Sequence, residues 1–160
     1  MTSIDELIDN LEKAEMLADV IESTVAPKVC NEMRNTAIRK LTLQKARDTG
    51  KLVNSISAAQ NLISREDSTV VTMGIETDTE YAKYIEFGTG INGSSSYGGH
   101  DNPQVTFKRD RVDWVYFDEE DGEFRTAHAQ HPRPFMRPAL YDKQKEYEDM
   151  MLKAAMKVIA

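Results

Sequence analysis

The chain has 160 residues, 40% hydrophobic and 29% charged, a balance that suits one soluble domain with a sizeable core. Its formal net charge of −7 argues against a surface built to grip nucleic acid, which needs clustered Lys and Arg. No apolar run approaches the roughly 18 residues of a membrane span, and the start lacks the basic-then-apolar layout of a secretory signal, so the expectation is a cytosolic chain without a membrane segment.

Residues 3 to 46 read as the helical part. Ser3-Ile4-Asp5-Glu6 has the form of a capping box, which places the helix start there. Ile4, Leu7, Ile8, Leu11, Ala14, Leu17, Ala18 and Ile21 follow at three- and four-residue steps and define one apolar face. Pro27 interrupts the run, because proline lacks an amide donor and crowds the turn before it. Val29, Met33, Ala37 and Leu41 then resume a four-residue repeat, so one kinked helix and two separate ones both fit. The single Cys30 excludes an internal disulfide and reads as a small core residue. Asp48-Thr49-Gly50 supplies turn chemistry at the end.

The middle of the chain changes period. Ile56 to Ile63 and Val70 to Ile75 flank a polar loop and read as a hairpin, with β-branched Val70, Val71 and Thr72 favouring a pleated strand. Thr79 to Phe87 reads as a short helix capped from Thr77 to Thr79 and closed by Gly88. Residues 88 to 104 are rich in Gly, Ser and Asn and predict a long mobile loop with nothing to pack a core. Val112 to Phe117 and Phe124 to Ala127, around the acidic run Asp118 to Asp121 and Gly122, predict a second hairpin. Ala139 to Ile159 predicts a closing helix, and no repeat or second domain is visible, so residues 1–160 read as one domain.

Little in this pattern offers a reagent. His128 and His131 stand three apart, and His100, Asp101 and Glu86 could be drawn into a metal site, but no third ligand has diagnostic spacing. The acidic run lacks the alternating ligands of a calcium loop and reads as a solvated hairpin tip. Trp114, Tyr116 and Phe117 could stack bases, yet no cation interleaves them, and packing is the better reading. Glu86 is the exception. A carboxylate near the end of a short helix opposes the macrodipole, so either it is solvated or it has a partner, with Arg133 and Arg137 the candidates. No catalytic residue, cofactor or metal is assigned.

Three segments carry a resemblance. Thr49, Gly50, Leu52, Ser55 and Ile56 form the first. Tyr81, Ala82, Tyr84, Glu86, Phe87, Gly88 and Thr89 form the second. Pro134, Phe135, Pro138, Ala139 and Leu140 form the third. In this order they resemble the tail-completion, or minor tail component, family of long-tailed bacteriophages. The long Gly/Ser loop departs from the family pattern. The resemblance implies an α+β fold, a small mostly antiparallel sheet packed by a long N-terminal helical region and a C-terminal helix. It implies that Phe87 and Phe135 anchor the places where elements meet, that Gly88 permits a turn, and that Pro134 and Pro138 set the start of the last helix. It further implies a virion protein at the head–tail junction, assembled in the bacterial cytoplasm. Such a protein is a monomer when free and a ring, expected to be a hexamer, in the particle. Its partners would be the tail tube protein and a head connector or stopper protein. DNA would pass the lumen without specific binding, which an acidic wall would suit. The other classes are an acidic DNA-mimic inhibitor of a host nucleic-acid enzyme and, third, a small His-dependent hydrolase.

Overall fold

The computed structural model describes residues 4–44, 50–64, 69–107, 110–118 and 122–159. Its first feature is a helical rod. Helix α1 (Ile4–Val20) runs into a π turn (Ile21–Val25) and on into α2 (Ala26–Leu43). Pro27 stands second in α2. The turn before it widens, so that the Ala26 amide bonds the Ile21 carbonyl five residues back. A π turn placed there absorbs the donor that proline lacks, and the rod continues without a break. The expected cap Ser3 and the turn residues Asp48 and Thr49 lie outside the described residues.

Helix α2 is the spine of the core. Val25, Val29, Met33, Ala37 and Leu41 fall on one stripe and are buried, and Cys30 beside them is fully buried. Against this stripe pack the short helix α3 (Lys51–Ser55), through Leu52 and Val53, and the hairpin of β1 (Ser57–Ser64) and β2 (Thr69–Glu76). The hairpin is antiparallel, in register from Ser57↔Glu76 to Ser64↔Thr69, and adds Met73 and Ile75 to the core margin. Helix α4 (Ala82–Phe87) follows.

Residues 88 to 104 are not a bare loop. They contain a 3-10 turn (Gly90–Asn92) and a tiny antiparallel ladder of β3 (Ser96–Tyr97) with β4 (His100–Asp101). Gly93 is buried under the Phe107 ring, where a Cβ would come within 2.2 Å of a ring carbon. The composition hid this, because Gly and Ser pack by close approach rather than by side-chain bulk.

The second hairpin, β5 (Asp113–Asp118) with β6 (Glu123–His128), forms as expected, and Gly122 takes a φ of 71° at its turn. Its acidic tip, residues 119–121, lies outside the described residues. The expectation that its aromatics pack is overturned for most of them. Of the three named, Tyr116 and Phe117 are exposed while Trp114 is half-buried, and Phe124 opposite Phe117 is 76% exposed. Phe117 and Phe124 meet instead across the strands, edge to face at 5.2 Å.

The closing helix is also corrected. It starts at Met136, three residues before the expected Ala139, and divides into α5 (Met136–Tyr141) and α6 (Gln144–Ile159). Asp142 and Lys143 at the break are pulled sideways to α2: Lys40 pairs with Asp142 at 3.2 Å, and Lys143 pairs with Glu32. The bend lets α5 lie on α2 while α6 turns back along the rod. The apolar face expected on α1 is likewise only partly used. Leu17, Ala18 and Ile21 are half-buried, but Ile4, Ile8, Leu11 and Ala14 are exposed. The fold is α+β, with the strands of the described residues shared among three two-stranded antiparallel ladders.

Candidate functional site

The three sequence segments meet at α4. Gly50 adopts the left-handed conformation (φ 80°) that starts α3, and it places Leu52 in the core. The Ser55 hydroxyl at the end of α3 lies 2.5 Å from that of Thr77 and 2.7 Å from that of Thr79. The Thr79 carbonyl in turn accepts the Ala82 amide, the first of α4. The first segment therefore supports the base of the second.

Along α4, Ala82 and Glu86 lie one turn apart and are both buried, whereas Tyr81 and Tyr84 face outward. Glu86 is only 3% exposed, which is costly for a carboxylate unless it is fully bonded. It is fully bonded. Oε2 accepts the backbone amides of Phe135 (2.7 Å) and Met136 (2.9 Å). Oε1 accepts the Arg137 amide (3.1 Å) and the Arg137 Nε (2.8 Å). These amides are the orphan donors that open α5. The next position is Pro138, which has no donor to satisfy. Glu86 thus does from another element what a capping side chain does from the preceding residue. Its position near the C-terminal end of α4 is explained, because the dipole it answers to is the positive end of α5.

Arg137 completes the lock. Its NH1 donates to the Ser95 carbonyl at 3.0 Å and its NH2 to the Glu86 carbonyl at 2.6 Å. The guanidinium lies over the Phe87 ring at 4.5 Å, with the Tyr97 ring at 5.7 Å. Tyr97 donates its hydroxyl to Asp142 at 2.9 Å, at the α5–α6 break. Burial and the facing Asp142 carboxylate raise the Tyr97 phenol above its usual pKa. Of the two arginines proposed for Glu86, Arg137 is the partner. Arg133 engages through its backbone, its amide donating to the Ile85 carbonyl at 2.8 Å. Ser95, Tyr97 and Asp142 were missed, since a Gly/Ser-rich stretch carries no spacing that marks a contact.

The chain leaves α4 through Gly88, with φ 71° and ψ −172°. A Cβ there would stand 2.4 Å from the Gln130 carbonyl oxygen and 2.8 Å from the Pro132 nitrogen. That closeness lets Thr89 bond Gln130 twice: its amide donates to the Gln130 carbonyl, and its hydroxyl accepts the Gln130 amide, both at 2.9 Å. In the third segment, the Pro134 carbonyl accepts Gln44 Nε2 at 3.0 Å. Phe135 is fully buried, in the core cluster with Leu41, Ile56, Ala82 and Ala139, and Pro138 is buried behind it. Tyr147 of α6 donates its hydroxyl to the Ala139 carbonyl at 2.8 Å. Desolvation, with Glu32 and Glu146 adding to it, pushes that phenol up to about 12.

These groups are consumed by the scaffold. Both Glu86 oxygens and three guanidinium nitrogens have protein partners, and His128 bonds Asp113 across the β5–β6 ladder at 2.6 Å. Among the described residues no three His, Cys, Asp or Glu side chains stand where they could hold a metal ion.

The arrangement is a joint between elements, and a match to a known family covers its first segment and its second up to Gly88. Residues 5–88, more than half of the chain, match the HK97-gp10-like family model, described as "Bacteriophage HK97-gp10, putative tail-component". The chain belongs to this family of phage tail components. Comparison with curated proteins and with solved structures finds no match. The matched stretch of the tail component runs from α1 to Gly88, so it includes Glu86 and ends before Phe135 and Arg137. A tail component has a structural role in the virion, among other virion proteins. The lock described above joins the family-matched part of this one to its remaining residues.

Proposed function

We propose that this tail component is a tail-completion protein at the head–tail junction, joining the tail tube to the capsid connector as a ring of identical subunits, and that it is structural rather than enzymatic. The observation that supports this most is the family match over residues 5–88, read together with the joint around Glu86. A carboxylate with every lone pair committed to holding a helix start serves rigidity. A subunit set between two different assemblies must keep its two ends in fixed relation, and a lock between the central helix layer and the closing helices does that. The residues named from the sequence, Gly50, Leu52, Tyr81, Tyr84, Glu86, Phe87, Gly88, Thr89, Pro134, Phe135 and Pro138, are accordingly proposed as scaffold and contact residues.

The whole chain acts as one domain in this reading. The start of the 88–104 segment is tied to the body by backbone bonds from Thr89, Ile91 and Ser94. Its tip, the β3–β4 ladder with the open Gly98 and Gly99, has only two paired residues on each strand and is proposed as the less stable part. It opens in the free protein and settles against neighbours on assembly. The net charge of −7 suits a lumen through which DNA passes without being gripped. Gold-labelled antibody against the chain, viewed on intact virions by electron microscopy, tests the placement. Label at the neck is expected. Label confined to the distal tip or spread along the tube would overturn the junction reading.

A further inference from the structure

Two surfaces left over by the fold complement each other. The first is the N-terminal half of α1. Ile4, Ile8 and Leu11 recur at helical spacing and are exposed, Ile4 by 80%. Glu6, Asp9, Glu12 and Glu15 are exposed in the same stretch, against one base, Lys13, which pairs with Asp9 at 3.2 Å. An exposed apolar stripe between acids is the form of a helix that lies in a groove.

The second surface is such a groove. It lies between α4 and the β5–β6 hairpin and has a volume of about 960 Å³. Tyr84, Phe107, Trp114 and Tyr116 form its apolar walls, and Lys83 and Arg111 are its charged residues. No carboxylate is among its described lining residues, although the chain carries 27 Asp and Glu against 20 Lys and Arg. Nor does any α1 residue line it, so a chain does not fill its own groove with this helix.

We propose that the groove receives the N-terminal half of α1 from a second copy of this chain, its apolar stripe on the aromatic walls and its carboxylates toward Lys83 and Arg111. The contact joins two different surfaces. It therefore repeats head to tail, and it closes into a ring where the rotation between copies allows. The inference rests on the reading of the chain as a self-assembling tail component, and it names the two faces that make the assembly.

The test uses two preparations of the full chain, one carrying Leu11→Cys and the other Tyr84→Cys, mixed at high concentration and mildly oxidised. The native Cys30 is fully buried and does not compete. A disulfide-linked pair is expected in the mixture and not in either preparation alone. Reversing the groove charge with Lys83→Glu and Arg111→Glu in the Tyr84→Cys chain should lower the yield about tenfold. Glu12→Lys with Glu15→Lys in the Leu11→Cys chain should restore it. Association that survives the charge reversal, links within a single preparation, or the absence of any linked pair in the mixture would each overturn the contact. None of these bears on the virion label, so the junction reading is judged separately.

Discussion

Glu86 shows how one side chain can decide the course of a backbone. Three amides and a guanidinium converge on it in a site almost closed to water. Removing it leaves those donors unpaired and a cation buried, and breaking a buried pair from one side costs about 3–5 kcal/mol. Glu86→Ala should therefore lose that much stability in urea unfolding, and Glu86→Gln should lose less, because its amide oxygen still accepts from the α5 amides. A loss below about 0.5 kcal/mol for the alanine variant, the scale of an ordinary surface change, would show that water replaces the carboxylate. Tyr147 makes a separate statement about pH. Its phenol ionises near 10 in the unfolded chain and near 12 in the folded one. Between these values the folded state holds more protons, so stability falls as pH rises through 10 toward 12. Lys143, raised chiefly by its bond to Glu32, acts in the same direction. Tyr147→Phe should flatten the alkaline decline of the unfolding free energy while costing roughly 1 kcal/mol at neutral pH for the unpaired Ala139 carbonyl. An unchanged alkaline slope in that variant would mean that the phenol is solvated.

At the scale of elements, the joint depends on the backbone as much as on side chains. Gly88 has a positive φ, and its neighbours leave no room for a methyl group. Gly88→Ala adds strain to a clash with backbone atoms of Gln130 and Pro132, neither of which can swing aside. It should separate the Thr89–Gln130 bonds and lower the melting temperature by more than a change at the open Gly98, where a Cβ meets nothing within 4 Å. Equal melting temperatures for Gly88→Ala and Gly98→Ala would reject the tight junction. Both hairpins, the core stripe of α2 and the burial of Phe135 were legible in the sequence, because each rests on local periodicity or on a proline that constrains its neighbours. The break between α5 and α6 was not. It is set by Lys40 and Glu32, about a hundred residues away, reaching Asp142 and Lys143. Sequence could name Arg137 beside Arg133 as a partner for Glu86, but only the start of α5 at Met136 selects between them. Tyr116 and Phe117 of β5 were misread for a related reason: an apolar run shows that a strand has an apolar face and says nothing about what covers it.

The whole molecule is a rod-and-hairpin body with a locked middle and two faces left open among the described residues. The stretch shared with the tail-component family, residues 5–88, holds α1 and the Glu86 side of the lock. A joining subunit makes a sharp demand on the particle: without it, heads and tails are both built and do not unite. Deleting the gene from the phage that carries it, with plasmid-borne wild type as the control, and imaging the lysate by electron microscopy measures this directly. The account predicts filled heads beside separate tails, or tails of abnormal length, with whole particles restored by the plasmid. Normal, infectious particles from the deletion alone would contradict it.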